Sequence, residues 1–600
     1  MRKFRPTHVA CALALALSAG TASAQFTNAY AFGDSLFDAG QYGARFTTNP
    51  GLVPPMYVAQ NWGLTLTPSF TGGNDYAQGG ALVNAPQGDL PPGTPDLSVM
   101  AQVNLFLSKG LPDPRALYQI DGGGNDLFKQ FTAYATGQIT QAQLQANVSQ
   151  AAIDLATAVG KLKAAGAQYV IVFNLPDAGK SPAAAPFGPQ AQAALTQLSQ
   201  LFNSTLNQAM TQGNLQVVQF NAYALMNEVI AQPGAFGMVN VTGVACTTSS
   251  ALNCTSSTLV APNANLNYFF ADGKHATTGT YLILADAMES MITGPQQMAS
   301  LAQAPADVER ATWRALDGRM MSAINAKGTG GKLQAWAAYD YGNADIFGAG
   351  LSGNGDLNTI SVGLDMVLSD KMLAGMQFSY TDYNGDFGGG TGDFKLREPM
   401  LTAYTGVGSG PWYVGATLGL ASLDFSTTRN IVLGPTTRTE SGSTRGYHTI
   451  GRLLGGYWLK FQDWDHGPFA KLTYEKIIVR QFSENGNDST ALTFGQQKND
   501  FTWSSLGWQA TGNVSGFRPF ARATWEYNFN AENKQVTAKP NTLSTWYTVP
   551  GFEQDDNWWL FDVGVSRDFG KVTGFLTGNA SASKGDGNYW GLTLGIRVPL

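Results

Sequence analysis

Four short blocks of residues could together carry acyl chemistry. The first is Ala31-Phe32-Gly33-Asp34-Ser35-Leu36-Phe37-Asp38-Ala39-Gly40, where an apolar, β-prone run stops at a glycine and an acid and a serine follow at once. Ligands bind at strand carboxyl ends on open α/β sheets, and a serine there is a nucleophile if a base and an oxyanion site reach it. An ordinary Asp-Ser turn or helix cap favours the same residue types. The second block, Asn74-Asp75-Tyr76-Ala77, runs into Gly79-Gly80-Ala81. The third, Gly123-Gly124-Asn125-Asp126, follows the apolar run Leu117 to Ile120, and the fourth is Asp272-Gly273-Lys274-His275. Ester cleavage needs a nucleophile, a base, a group that orients the base and donors for the developing oxyanion. Ser35 is the candidate nucleophile and His275 the candidate base. Asp272 stands three residues before His275, which allows it to bond Nδ1 and leaves Nε2 toward the serine.

Elements that could position these blocks alternate from about residue 28 to 300. Candidate strands are Tyr30 to Phe32, Leu117 to Ile120, Tyr169 to Phe173 and Leu215 to Phe220; helical spacing of apolar residues covers Gln141 to Ala165 and Pro189 to Thr211. Tyr169-Val170-Ile171-Val172-Phe173 is a continuous apolar run, as expected of a strand buried on both faces. Such alternation predicts a parallel sheet with helices on both sides. The stretch from Pro233 to Asn267 is rich in Gly, Pro, Asn, Ser and Thr and reads as a loop leading into the fourth block.

The N-terminus has the pattern of a secretory signal. Arg2, Lys3 and Arg5 precede a short apolar core, Val9 to Leu17, and Ala22-Ser23-Ala24 fits a small-residue cleavage site. Residues 1–24 are thus expected to leave. Cys11 would leave with them, and Cys246 and Cys254 become the only possible internal pair, in an export context that permits disulfides. They lack the close spacing and partner histidines of a zinc site, and no Gly-Lys-Ser/Thr phosphate loop is present. No metal or cofactor is expected. The net charge of −6 over 600 residues argues against nucleic acid as a partner.

Composition changes sharply after Gly328-Thr329-Gly330-Gly331. Just before it, Ala306 to Ala326 reads as a helix carrying Asp307, Glu309, Arg310, Arg314, Asp317 and Arg319. Beyond it the helical signal gives way to alternation. Ile360, Val362, Leu364, Met366 and Leu368 oppose Thr359, Ser361, Gly363 and Asp365; Trp590, Leu592, Leu594, Ile596 and Val598 oppose Gly591, Thr593, Gly595 and Arg597. Apolar-out, polar-in strands of about ten residues mark a transmembrane barrel, although half-buried strands of a soluble sandwich alternate too. Short turns near residues 369–370, 409–411, 463–464, 514–516 and 570 alternate with long polar connections near 343–357, 384–394, 429–445, 484–499 and 532–556. The last connection, at 585–587, is short where a long one is due. Short turns on one side and mostly long loops on the other are still the outer-membrane pattern, with about twelve strands. Only 13% of residues are charged, and Gly, Tyr, Trp and Thr are plentiful, which suits the same class.

The four blocks, in order and rough spacing, resemble the GDSL or SGNH esterase family. Signal, passenger, polar helix and C-terminal β half together resemble an autotransporter of the type V secretion kind. The resemblance implies an α/β three-layer SGNH-hydrolase passenger at 25–300 and a linker with pore-spanning helix at 301–331. A 12-stranded antiparallel transmembrane β-barrel at 332–600 follows. It implies catalytic Ser35, Asp272 and His275, with an oxyanion hole from the Ser35 N–H, the Gly80 N–H and the Asn125 side chain. Asp34, Asp38 and Asp126 match motif positions but are expected to shape loops. Two positions depart from the families' patterns: Asp75 stands where asparagine is common, and Leu600 where barrels often end in an aromatic. The implied protein is a surface-displayed carboxylesterase or lipase, a monomer in the outer membrane of a Gram-negative bacterium. It would meet ester or lipid substrate, outer-membrane lipid, and barrel-assembly machinery and periplasmic chaperones during export. A phospholipase or acyltransferase, and a non-catalytic adhesin-type passenger, are the competing readings.

Overall fold

The computed structural model describes residues 26–88, 94–324, 333–348, 351–369, 372–531, 534–551, 554–585 and 587–600. The expected signal segment and the glycine-rich join at 328–331 lie outside the described residues.

The α/β half is built on four short strands: β1 (Ala29–Phe32), β2 (Leu117–Ile120), β3 (Tyr169–Phe173) and β4 (Val218–Phe220). They form one sheet in the order β1-β2-β3-β4, all parallel. Between them run α1 (Pro54–Asn61), α2 (Val99–Ser108), α3 (Gly124–Ala135), α4 (Gln141–Ala165) and α5 (Pro189–Gln212). After them come α6 (Ala222–Ala231), β5 (Asn240–Val244), α7 (Ala264–Asn267), β6 (Tyr268–Phe270), α8 (Thr278–Ala299) and α9 (Ala304–Ile324). Strand side chains alternate between two cores. Phe32, Ile120, Val170 and Val172 pack with Val103 of α2, Leu127 of α3, Leu155 of α4 and Phe202 of α5. Ala31, Leu117, Ile171 and Phe220 pack with Val58 of α1, Leu225 of α6 and Met288 of α8. The expected α/β layering is therefore observed.

Local signals explain the long helices. Thr140 and Gln143 form a capping box at the start of α4, and Gly166 ends it with φ +116°, the left-handed conformation that suits glycine. The stretch expected as a plain loop, 233–267, holds short helical turns and β5, which pairs in parallel with β6.

Twelve antiparallel strands close into a barrel, the sixth and seventh (Thr436–Tyr457 and Trp464–Val479) pairing directly to complete the ring. The alternation falls as expected: Ile360 and Leu594 are exposed on the outside, while Thr359 and Thr593 are fully buried inside. Helix α9 fills the lumen. Arg314 pairs with Asp340 through two 2.7 Å bonds, Arg319 pairs with Asp365, and Asp317 is bracketed by Arg452 and Arg522. Removing one partner of such a buried pair typically costs about 3–5 kcal/mol.

The expected long loops are mostly something else. Residues 343–348 pair with 351–356 as antiparallel strands and 429–445 form a continuous hairpin, because the strands run on to lengths such as 22 residues at Trp412–Leu433, about twice what a bilayer requires. Above the lipid neither face of a strand needs to be apolar, so Thr436-Thr437-Arg438-Thr439-Glu440 carries no alternation to read. Strand extensions and a separate small sheet hold the α/β half: on the extension at Thr436–Tyr457, Arg438 pairs with Glu228 of α6 at 2.8 Å, and in the small sheet the Tyr547 hydroxyl donates to the Met291 carbonyl of α8 at 2.6 Å.

Candidate active site

The nucleophile block sits at the carboxyl end of β1. Gly33 is the hinge: its φ is +148°, and a Cβ there would stand 1.5 Å from Asp121 Oδ1. Gln102 of α2 clamps its backbone, accepting from Gly33 N–H at 2.8 Å and donating to its carbonyl at 2.9 Å. Asp121, just after β2, accepts the Asp34 N–H at 3.0 Å. The chain then turns tightly, with Phe37 and Asp38 donating back to the Asp34 carbonyl. This leaves Ser35 on the turn above the sheet.

The fourth block descends from β6 and runs into α8. His275 Nε2 lies 2.8 Å from Ser35 Oγ. Its Nδ1 lies 2.8 and 2.9 Å from the two Asp272 carboxylate oxygens. Asp272 also accepts the N–H groups of Lys274 and His275, each at 2.9 Å, and that of Ala251 at 2.7 Å. Burial pushes the Asp272 carboxyl up, but the His275 ring and the Lys274 and His275 N–H groups outweigh it and hold it at about 2. The Phe46 ring packs on the imidazole at 4.9 Å.

The oxyanion candidates are assembled less directly. Asn125, at the start of α3, lines the same cleft as Ser35, and its Nδ2 donates to the Ala81 carbonyl at 3.1 Å. Gly80 is bonded to Asn125 only through that neighbour. Its φ is +86°, the region that favours glycine. Among the described residues neither the Ser35 nor the Gly80 N–H has an internal hydrogen-bond partner. Asp75 poses no difficulty: its carboxylate accepts from Ala39 and Ala77 N–H at 2.6 and 3.0 Å.

Asp38 and Asp126 shape loops as expected. Asp38 accepts from Gly40, Gln41 and Gly79 N–H, and Asp126 from Val83 N–H. Burial raises both carboxyls to about 6 against those bonds. Gln102 and Asp121 escaped the sequence reading. Asp121 could have been found from its place between β2 and the third block; Gln102, one polar residue in a helix, carried no signal.

An open cleft leads away from Ser35. Its walls are mostly apolar and include Phe173, Met226, Phe269 and Leu284, with Phe128 and Lys274 at one side.

Comparison with known proteins finds a match for each half of the chain. Residues 30–288 match the model of the GDSL-like lipase/acylhydrolase family, and residues 335–581 match the autotransporter β-domain. The chain joins a GDSL-type domain to an autotransporter barrel. Lipase 1 of Photorhabdus luminescens is 26% identical over 96% of this chain and 96% of its own length. Esterase EstA of Pseudomonas aeruginosa is 26% identical over 94% of both chains. Among solved structures, the translocator domain of autotransporter NalP from Neisseria meningitidis covers 50% of this chain and 97% of its own, with 15% identity and a TM-score of 0.41. The GDSL-type domain is an ester-hydrolase domain, and the barrel belongs to the outer membrane.

Proposed function

We propose that this protein is a surface-displayed carboxylic ester hydrolase that works through an acyl-enzyme on Ser35. The contact that carries the reading is the 2.8 Å approach of His275 Nε2 to Ser35 Oγ, with Asp272 on Nδ1. His275 takes the Ser35 proton as Oγ attacks the ester carbonyl, and Asp272 stabilises the resulting imidazolium. The Ser35 and Gly80 N–H groups and the Asn125 amide receive the oxyanion. His275 returns the proton to the leaving alcohol, then activates water to release the acid. An adhesin-type passenger has no need of this assembled set.

The apolar cleft favours fatty-acyl esters over small polar ones, which keeps lipids among the candidate substrates. The proposed division is signal 1–24, passenger 25–300, linker and pore helix 301–331 and barrel 332–600. The end of α8 at Ala299 and the ion pairs of α9 inside the lumen support it. On this reading the chain acts as a monomer and reaches the surface through the barrel-assembly machinery and periplasmic chaperones. Intact cells offered a 4-nitrophenyl ester series should hydrolyse it, with rate rising from acetyl toward longer acyl chains. A Ser35→Ala protein that is displayed normally and hydrolyses at the parental rate would overturn the assignment.

A further inference from the structure

The groups that hold the triad acid do not all come from its own block. Asp272 Oδ1 is fixed by two N–H groups of the next turn, but Oδ2 receives only one backbone donor, Ala251 N–H at 2.7 Å. Ala251 opens a short helical turn, Ala251–Asn253, within the loop bounded by Cys246 and Cys254. The two cysteines are buried, with Cα atoms 5.7 Å apart and sulfurs facing, the separation a disulfide requires. The preceding run, Thr247-Thr248-Ser249-Ser250, has little intrinsic order of its own.

The same turn is gripped from the side of the nucleophile. Asn49 N–H donates to the Cys254 carbonyl at 2.9 Å, and Asn49 Nδ2 to the Ala251 carbonyl at 3.0 Å. Asn49 lies on the segment that follows Ser35, and Nδ2 also reaches the Arg45 carbonyl at 2.9 Å. Two residues earlier, the Thr47 hydroxyl donates to the carbonyl of Ala276, next to His275. A closed circuit results: Ser35 segment, Asn49, Ala251 turn, Asp272, His275 and back to Ser35.

We propose that the disulfide-closed 246–254 loop is a positioning element of the active site, locking the Asp272 carboxylate through Ala251 N–H, with Asn49 clamping that loop to the nucleophile segment. It rests on the reading of Ser35, Asp272 and His275 as the catalytic set. Without the Ala251 donor, Oδ2 is held by the imidazole alone and the carboxylate can pivot about the anchored Oδ1. The base then loses orientation, which matters most as charge develops on it. Substrate contacts in the cleft are untouched.

Three full-length variants in the outer membrane test this: Ala251→Pro, Asn49→Ala and the pair Cys246→Ser with Cys254→Ser. Ala251→Pro deletes the N–H alone, because the first position of a helical turn accepts proline and Ser250 is already extended at φ −130°, ψ 138°. Activity is read per molecule of heat-modifiable, folded protein with 4-nitrophenyl butyrate. Each variant should lose roughly ten-fold or more in kcat with KM within about two-fold, and Ala251→Pro combined with the cysteine pair should lose little more than the worse of the two. Parental kcat in Ala251→Pro overturns the proposal, as does a KM that rises in step with the loss of kcat. Failure of the catalytic reading is told apart by Ser35→Ala, which must be inactive in the same assay.

Discussion

Replacing Asp272 by asparagine probes the least obvious member of the site, and its cost follows from the donors around the carboxylate. Oδ1 faces the N–H groups of Lys274 and His275, Oδ2 faces that of Ala251, and both oxygens face the ring Nδ1. An amide nitrogen in the Oδ1 place opposes two backbone donors; in the Oδ2 place it opposes one. Each buried donor left unmet costs about 1–3 kcal/mol, so the nitrogen takes the Oδ2 place. There it stands 2.8 Å from Nδ1 and can donate to it, which puts the imidazole hydrogen on Nε2, facing Ser35 Oγ. The amide oxygen in the Oδ1 place, at 2.9 Å, can still accept from Nδ1. A protonated Nε2 cannot accept the serine proton. The productive tautomer therefore competes with an unproductive one that the acceptor-only carboxylate did not allow, and its population falls. Loss of the charge that stabilises the imidazolium adds to this, for a total of about 10³–10⁴ in kcat. The assay is steady-state hydrolysis of 4-nitrophenyl butyrate by folded protein, with KM expected within about three-fold. A kcat within ten-fold of the parent would refute the orienting role.

Other outcomes follow from the same geometry. Ser35→Ala and His275→Ala should each remove several powers of ten in kcat and the double variant little more, since the two act as a unit; Asn125→Ala should lose roughly 10²–10³ with a smaller change in KM. The Asp272 carboxyl sits at about 2 in the folded protein, below its ordinary 3.8. Its contribution to stability is therefore full above about pH 4 and is lost as pH falls toward 2. A shift of roughly two units corresponds to about 2–3 kcal/mol, so acid should weaken protease resistance of the α/β half less in Asp272→Asn than in the parent. Gly33→Ala places a methyl against Asp121 at a left-handed φ and should destabilise that half by more than about 2 kcal/mol, read as a fall in its thermal unfolding midpoint.

Much of this architecture was legible because its signals are local. The helix over Gln141 to Ala165 has its apolar spacing, capping box and terminal glycine within its own span, and sequence and structure agree on its limits. Lipid imposes a period of two on every strand it touches, so Ile360 and Leu594 declare their outward face without any partner in view. Where the strands leave the lipid that pressure ends, and stretches such as 343–348 and 436–445 read as loop although they are paired strand.

The candidate catalytic residues divide along the same line. The sequence singled out Ser35, Asp272 and His275 through a strand end, a close Asp-His spacing and the order of four blocks that resembles the GDSL family, and each block is visible within one short window. It held no trace of what brings those windows together. That Gln102 clamps Gly33 from 69 residues away, that Asp121 receives the Asp34 N–H, and that Ala251 braces Asp272 are outcomes of the parallel sheet and its crossovers. A backbone donor or a buried amide is chemically anonymous along the chain. It acquires a role only when the fold, by satisfying its buried polar groups, decides which acceptor it must meet.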